Sequence, residues 1–125
     1  MQALSILEPA ACGNEPRRFM RGLTDFGKIR NTDTPFWYYD MDLLRATVDK
    51  ASELSRKYGI GLHYAVKANV EPRIVQYISS KGFGADCVSG NEVVFAAENG
   101  FSPDTIVYAG VGKTDKEINT ALDLG

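Results

Sequence analysis

The chain has 125 residues, of which 44% are hydrophobic and 24% are charged. This composition is typical of a globular protein, and the length is sufficient for one domain with a hydrophobic core. A net charge of −2 gives no basic surface for binding nucleic acid or an anionic membrane. No run of about 18 apolar residues occurs and no signal peptide is recognisable, so we expect a cytoplasmic protein without a membrane span.

The cysteines do not form a metal-binding pattern. Cys12 and Cys87 lie far apart without CxxC spacing, and His63 is the only histidine. A zinc site needs about four nitrogen or sulfur ligands at set spacings, so we predict no metal site. Two free thiols in a reducing cytosol are the favoured interpretation, with a single disulfide as the alternative.

The first quarter of the chain differs from the rest. Residues 1–33 contain prolines, glycines and a cluster of arginines but no sustained periodicity, and we predict a poorly structured leader there. A domain then begins at residue 34 and continues to residue 125. Its first element is predicted to be a strand at the aromatic run Phe36-Trp37-Tyr38-Tyr39, which follows Pro35.

Helices and strands alternate from there on. Asp42 is expected to cap a helix that runs to Tyr58, and Gly59 suits its left-handed end. Strands are predicted at residues 62–66, 83–88 and 105–109. Helices are predicted to follow them, beginning at Pro72, at an S-x-x-E capping box of Ser89 and Glu92, and at a T-x-x-E capping box of Thr114 and Glu117.

This alternation predicts an α/β fold with parallel strands joined by right-handed crossovers. Such a fold is either an open doubly wound sheet or a (β/α)8 barrel. A closed barrel takes about 250 residues, so this chain would supply only its amino-terminal half.

Lys67 is the first candidate for chemistry, because a lysine rarely ends an apolar parallel strand. Side-chain alternation places it on one face with His63 and Ala65, at the carboxyl end of the strand, where barrels hold their catalytic residues. A confined apolar setting favours the neutral amine, which can form a Schiff base with an aldehyde. The alternative is a lysine whose ammonium simply reaches solvent.

Asp86 is the second candidate. It lies near the carboxyl end of the next predicted strand, on the same face as Gly84 and Val88, where a carboxylate could pair with a lysine or a cofactor group. A turn or helix-capping role is the alternative. The amides at the helix start near Ser89 could also receive an anion.

Two nucleotide-binding motifs are incomplete. GVGKT at residues 110–114 resembles a P-loop, but Val107 stands where the first glycine should be. The Gly82-x-Gly84 pair resembles the start of the dinucleotide-binding motif GxGxxG. It follows a helix rather than a strand, however, and Cys87 occupies the position of the last glycine, so we predict no dinucleotide site.

Two longer motifs resemble a known family. YAVKAN at residues 64–69 is similar to the cofactor-lysine motif of the alanine-racemase-like barrel decarboxylases acting on ornithine, arginine and meso-diaminopimelate. GFGADCVSGNE at residues 82–92 resembles the diaminopimelate branch, G-x-G-A-D-V-V-S-G-G-E, with departures at Cys87 and Asn91. The ornithine branch usually has Cys at the position of Ala68. The resemblance covers residues 34–125.

The resemblance implies a pyridoxal 5'-phosphate (PLP) dependent carboxy-lyase that converts meso-2,6-diaminopimelate to L-lysine, the last step of lysine biosynthesis. Lys67 would hold PLP covalently as the catalytic residue, and Asp86 would line the cofactor pocket. The fold would be a partial (β/α)8 barrel, the amino-terminal half of a PLP-binding barrel without the carboxy-terminal β-domain. The full-length enzyme would act on a small amino-acid substrate as a homodimer, and the 125 residues alone would be inactive.

Three alternatives stay open. The first is a related decarboxylase acting on carboxynorspermidine, ornithine or arginine. The second is a non-catalytic PLP-binding protein built on a single barrel. Two motifs favour the decarboxylase over this alternative, the FWYYD run at residues 36–40 and Gly112-Lys113-Thr114. The third is an interaction fragment that binds no cofactor.

Overall fold

The computed structural model describes residues 32–125. The predicted leader, including Cys12, therefore lies outside the described residues except at its last two positions. The chain divides into two compact units, Met1–Leu43 and Leu44–Gly125, which are described separately. None of the helices in residues 32–125 combines the length and the apolar character that crossing a membrane requires.

The predicted strand at Phe36-Trp37-Tyr38-Tyr39 is wrong. No strand is formed at these four residues, and all their side chains are exposed, that of Trp37 by 87%. The aromatic run has the composition of a strand, but a strand also needs a hydrogen-bonded neighbour, and none pairs with it among the described residues.

The first helix, α1, spans Met41–Tyr58. Its cap is Asp40 rather than the predicted Asp42: Asp40 Oδ1 accepts hydrogen bonds from the amides of Asp42 at 3.1 Å and Leu43 at 2.9 Å. These are the second and third amides of the helix, which an acidic cap normally satisfies. Gly59 has a φ of 63° and ends the helix in the left-handed conformation, as predicted.

The second unit alternates strands and helices, as predicted. The strands are β1 (His63–Ala65), β2 (Gly84–Cys87) and β3 (Ile106–Tyr108). The later helices are α2 (Pro72–Ser80), α3 (Gly90–Glu98) and α4 (Asp115–Asp123), and single 3-10 turns lie at Val66–Ala68 and Pro103–Thr105. The sheet is parallel in the order β1-β2-β3. Each strand is one residue shorter at either end than predicted.

The register of the sheet separates two faces. One row across the three strands consists of Ala65, Asp86 and Val107. The residues one position earlier in each strand form the neighbouring row, and their side chains point to the other side of the sheet. On that other side Ala85 and Cys87 are fully buried, whereas Val107 is 48% exposed. One face of the sheet is therefore covered and the other, which carries Asp86, is open.

The core lies on the covered side. The predicted apolar stripe of α2, formed by Ile74, Val75 and Ile78, is buried. Val93 and Ala96 of α3 pack into the same core. Burial of these side chains is the main favourable contribution to folding of this unit, because each removes its apolar surface from water.

Helices α1 and α2 are joined by polar contacts, some exposed and one made by the buried Ser52. Tyr77 donates its hydroxyl hydrogen to Asp49 Oδ1 at 2.8 Å, and Lys81 Nζ lies 2.7 Å from the same oxygen. Ser52 Oγ donates to the carbonyl oxygen of Lys81 at 2.9 Å. The hydrogen bond from Lys81, followed by that from Tyr77, holds the pKa of Asp49 below its ordinary value.

Only one of the two predicted capping boxes is complete. At α4 the Thr114 hydroxyl accepts from the Glu117 amide, and the Glu117 carboxylate accepts from the Thr114 amide at 3.0 Å. At α3, Ser89 Oγ accepts from the Glu92 amide at 3.3 Å, as predicted. The Glu92 carboxylate, however, accepts from the amide of Val88 at 2.8 Å instead of that of Ser89.

Glu117 also joins two helix starts that lie far apart in sequence. Its Oε1 accepts from the Gly90 amide, the first of α3, at 3.3 Å, and Gly90 lacks the Cβ that would meet Glu117 Cγ at 2.8 Å. The Thr114 amide and hydroxyl, then the Gly90 amide, lower the pKa of Glu117 to about 2, and the Tyr108 hydroxyl adds to them. These donors outweigh desolvation, which acts in the opposite direction.

We predict that Glu117→Gln flattens the acid dependence of stability. The pKa of Glu117 in the folded chain lies below the ordinary value of 4.5, so the carboxylate stabilises the fold fully above about pH 4.5 and loses this effect as the pH falls towards 2. Urea unfolding from pH 7 to pH 2 should show a smaller decline for Glu117→Gln than for the parent. Glu98→Gln, at an exposed acid of α3, is the control and should keep the parental decline.

We predict that Gly84→Ala destabilises the fold by about 1–3 kcal/mol, a typical cost of overpacking. A Cβ at Gly84 would overlap the imidazole of His63, its partner across the sheet, and the carbonyl oxygen of Thr105, which is backbone and cannot move aside alone. The matched control is Gly61→Ala, whose methyl group would meet nothing within 4 Å. Equal free energies of unfolding for the two variants would contradict this packing.

Candidate functional site

Lys67 lies just beyond the carboxyl end of β1, as predicted, but not within the strand. The strand ends at Ala65, and Lys67 is the middle residue of the 3-10 turn Val66–Ala68. The predicted alternation that placed Lys67 on one face with His63 and Ala65 is therefore wrong, because the backbone leaves the extended conformation at Val66. Val66 is fully buried, whereas Lys67 is exposed.

The confined setting predicted for Lys67 is not formed by residues 32–125. The side chain makes no hydrogen bond or ion pair with any of these residues. Three other lysines are engaged: Lys50 with Glu53 at 2.9 Å, Lys81 with Asp49, and Lys113 with the carbonyl oxygen of Gly110. Within the described chain, Lys67 thus offers an accessible primary amine.

The backbone on either side of Lys67 is held by hydrogen bonds. The amide of Asn69 donates to the Val66 carbonyl oxygen at 3.2 Å, which closes the turn. The Tyr64 hydroxyl donates to the Asn69 carbonyl oxygen at 2.9 Å. Asn69 Oδ1 in turn accepts from the Glu71 amide at 2.8 Å. Sequence reasoning missed these roles, although an asparagine three residues before Pro72 is a recognisable turn signal.

Asp86 lies on the open face of the sheet, half-buried, in the row of Ala65 and Val107. Since Ala65 is the last residue of β1, the register brings Asp86 to the edge of the sheet from which the Lys67 turn emerges. Gly84 shares this face, as predicted. No hydrogen bond or ion pair joins Asp86 to Lys67 in the described chain.

The start of α3 is less open to an anion than predicted. The Gly90 amide donates to Glu117 and the Glu92 amide donates to Ser89 Oγ. These donors, together with the Val88 amide bound by Glu92, are satisfied by the chain itself. The loop between β2 and α3 is therefore stabilised from within.

Cys87 is a free and buried thiol on the covered face of the sheet. Burial, and then the negative charges of Glu92 and Asp86, raise its pKa to about 11. The thiol is thus protonated at neutral pH, which makes it a poor nucleophile. Within residues 32–125 no group of three or more His, Cys, Asp or Glu side chains could hold a metal ion.

One family model matches the whole of the second unit, Leu44–Gly125. It describes the pyridoxal-binding domain of pyridoxal-dependent decarboxylases and matches residues 44–125. The diaminopimelate decarboxylase of Bacteroides thetaiotaomicron is 46% identical over 107 residues, which cover 85% of this chain and 28% of that protein. The chain therefore spans about a quarter of the length of this curated relative.

Solved structures agree. The structure of diaminopimelate decarboxylase from Helicobacter pylori, complexed with L-lysine, is similar to this chain with a TM-score of 0.64 and 36% sequence identity. The match covers 79% of this chain and 25% of the Helicobacter pylori chain. Ornithine decarboxylase from Entamoeba histolytica has a TM-score of 0.64 and 31% identity, and the match covers 80% of this chain and 32% of the Entamoeba histolytica chain.

The prediction of a partial (β/α)8 barrel is confirmed by this likeness and by the parallel order of the strands. The family model extends over more than half of the chain and includes both Lys67 and Asp86. This chain belongs to the family of the pyridoxal-dependent decarboxylases.

Proposed function

We propose that this chain supplies the cofactor lysine, Lys67, of a PLP-dependent enzyme that decarboxylates meso-2,6-diaminopimelate to L-lysine. One observation carries the proposal: an accessible amine stands on a fixed turn at the carboxyl end of a barrel strand. This is the edge at which (β/α)8 barrels assemble their active sites. The family match supports PLP as the cofactor.

The residues present fit such a cofactor. A Schiff base with an aldehyde needs a primary amine that is not engaged in an ion pair, and Lys67 meets this condition within the described chain. The open face beside it carries the small side chain of Ala65 and, in register with it on the next strand, the carboxylate of Asp86. The chain thus offers an amine and an acceptor on neighbouring strands.

Each of these residues has a defined task in the proposed site. Lys67 Nζ would hold the cofactor, and the same amine would be in place to move a proton at the reacting centre. Asp86 accepts a hydrogen bond from a cationic group of the cofactor or from the lysine and so orients it. Bound PLP supplies an electron-accepting ring that takes up the electron pair left by departing CO2.

The choice of diaminopimelate rests on similarity. The relative that is 46% identical is a diaminopimelate decarboxylase, and the ADCVS segment at residues 85–89 resembles that branch. Ornithine decarboxylase is the second candidate, because the Entamoeba histolytica enzyme has a TM-score of 0.64. We further propose a cytoplasmic homodimer for the full-length enzyme, in which residues 34–125 begin the cofactor-binding barrel and residues 1–33 precede it as a leader.

We predict that PLP followed by borohydride labels Lys67 selectively. The adduct would be located by peptide mass spectrometry of the 125-residue chain. Lys67→Ala should abolish it, whereas Lys113→Ala, which removes a lysine already bound to a carbonyl oxygen, should not. Asp86→Asn should weaken labelling without moving it to another lysine. Labelling scattered over several lysines, or none, would refute the assignment of Lys67.

We predict that the 125 residues alone release no CO2 from carboxyl-labelled meso-diaminopimelate. The resemblance assigns the other cofactor contacts to residues outside this chain. A longer chain carrying a complete barrel and β-domain should release CO2, faster from meso-diaminopimelate than from ornithine or arginine, and should lose this activity with Lys67→Ala. Faster release from ornithine would favour the second candidate, and release by the short chain would overturn the expectation that it is incomplete.

A further inference from the structure

We infer that Tyr64 and Asn69 are positioning residues that set the place of the Lys67 amine by holding the backbone of its turn. This inference rests on the proposed function, since it concerns how that amine meets a cofactor aldehyde. Neither side chain needs to touch the cofactor, because both make their hydrogen bonds with backbone atoms that follow Lys67 in the sequence, at Asn69 and Glu71.

Tyr64 connects the turn to the packed side of the sheet. It pairs in register with the fully buried Ala85, so its ring points to the covered face, opposite to the row of Asp86. From there its hydroxyl donates to the Asn69 carbonyl oxygen at 2.9 Å in a partly buried hydrogen bond. The packed strand thereby fixes the residue at which the turn ends.

Asn69 connects the turn to the next helix. Its amide donates to the Val66 carbonyl oxygen, and its Oδ1 accepts from the amide of Glu71 at 2.8 Å. Glu71 immediately precedes α2, and its carbonyl oxygen accepts from the amides of Ile74 and Val75, both buried. The end of the turn is thus tied to the core as well as to the strand.

Lys67 and Ala68 are therefore two exposed residues between two fixed ones. Val66 is fully buried before them and Asn69 is bound on three atoms after them. A lysine side chain is long and flexible, so the position of its amine depends on a stable backbone origin. Misplacement of a reacting group by about 1 Å can lower a rate by about 100-fold, which makes such a tie chemically significant.

The test uses single hydrogen bonds and a matched control in the 125-residue chain. Tyr64→Phe removes the hydroxyl and keeps the ring, and Asn69→Leu removes the acceptor at similar size. Asn69→Asp restores the acceptor. The control is Tyr77→Phe, which removes a tyrosine hydroxyl bond of similar length, to Asp49, at an exposed position between α1 and α2.

Two readouts are measured for each variant. The first is the rate of the selective PLP adduct at Lys67, followed by absorbance and mapped after borohydride reduction. The second is hydrogen exchange at the amides of Asn69 and Glu71 without PLP, which reports the turn itself. Circular dichroism establishes that each variant is folded.

We expect Tyr64→Phe and Asn69→Leu to slow the Lys67 adduct roughly fivefold, which is the effect of losing one hydrogen bond of average net strength. They should also speed amide exchange at Asn69 and Glu71. Asn69→Asp should restore most of the adduct rate and most of the protection of these amides from exchange. Tyr77→Phe should change neither the adduct rate nor the exchange.

An unchanged adduct rate in Tyr64→Phe and Asn69→Leu would overturn the positioning role. An equal loss of adduct rate in Tyr77→Phe would also overturn it, because it would indicate general destabilisation. Failure of the proposed function is distinguishable, because the unsubstituted chain would then give no selective adduct at Lys67. In that case the inferred role towards the cofactor fails with it, whatever the exchange rates are.

Discussion

Parallel backbone hydrogen bonding aligns Ala65, Asp86 and Val107 in one row, and this register determines the placement of the other groups. It sends Ala85 and Cys87 to the covered face, where burial stabilises the unit. It also brings the carboxyl ends of the strands to one edge. Lys67 and Asp86 lie 19 positions apart in the sequence yet belong to this one edge because their strands are neighbours.

The same edge collects the helix starts, whose first amides have no partner within their helices. The chain satisfies some of them with its own side chains, Ser89 at α3 and Thr114 at α4, and before α2 Asn69 binds the amide of Glu71, the residue that precedes the helix. Glu117 goes further and serves the starts of both α3 and α4. The loops that surround the candidate site are thus kept in place by caps, which leaves the site face of the sheet free for chemistry.

Local sequence signals predicted most of this fold. Helical periodicity identified Ile74, Val75 and Ile78 as a buried stripe, and the T-x-x-E spacing identified the cap formed by Thr114 and Glu117, because both depend on neighbours within a few residues. The failures involve longer distances or competing local donors. No pattern near Gly90 shows that it accommodates a side chain 27 positions away, and strand propensity at residues 36–39 cannot supply a partner strand.

The candidate site illustrates the same limit. The sequence motif singled out Lys67 and Asp86, but the alternation of the predicted strand at residues 62–66 was continued to Lys67, whereas the backbone turns after Ala65. The turn changes the argument about reactivity. A lysine inside a buried strand would owe its chemistry to desolvation, but Lys67 is exposed in the described chain and owes its place to the hydrogen bonds around Asn69.

Position and reactivity of the amine are therefore controlled by different parts of the site. The strand, Tyr64 and Asn69 determine where the amine stands, and they do so without enclosing it. Reactivity depends on what lies over the open face, because low dielectric surroundings favour the neutral amine. A fixed backbone origin with an open approach leaves the amine of Lys67 accessible to a reaction partner while its turn stays in place.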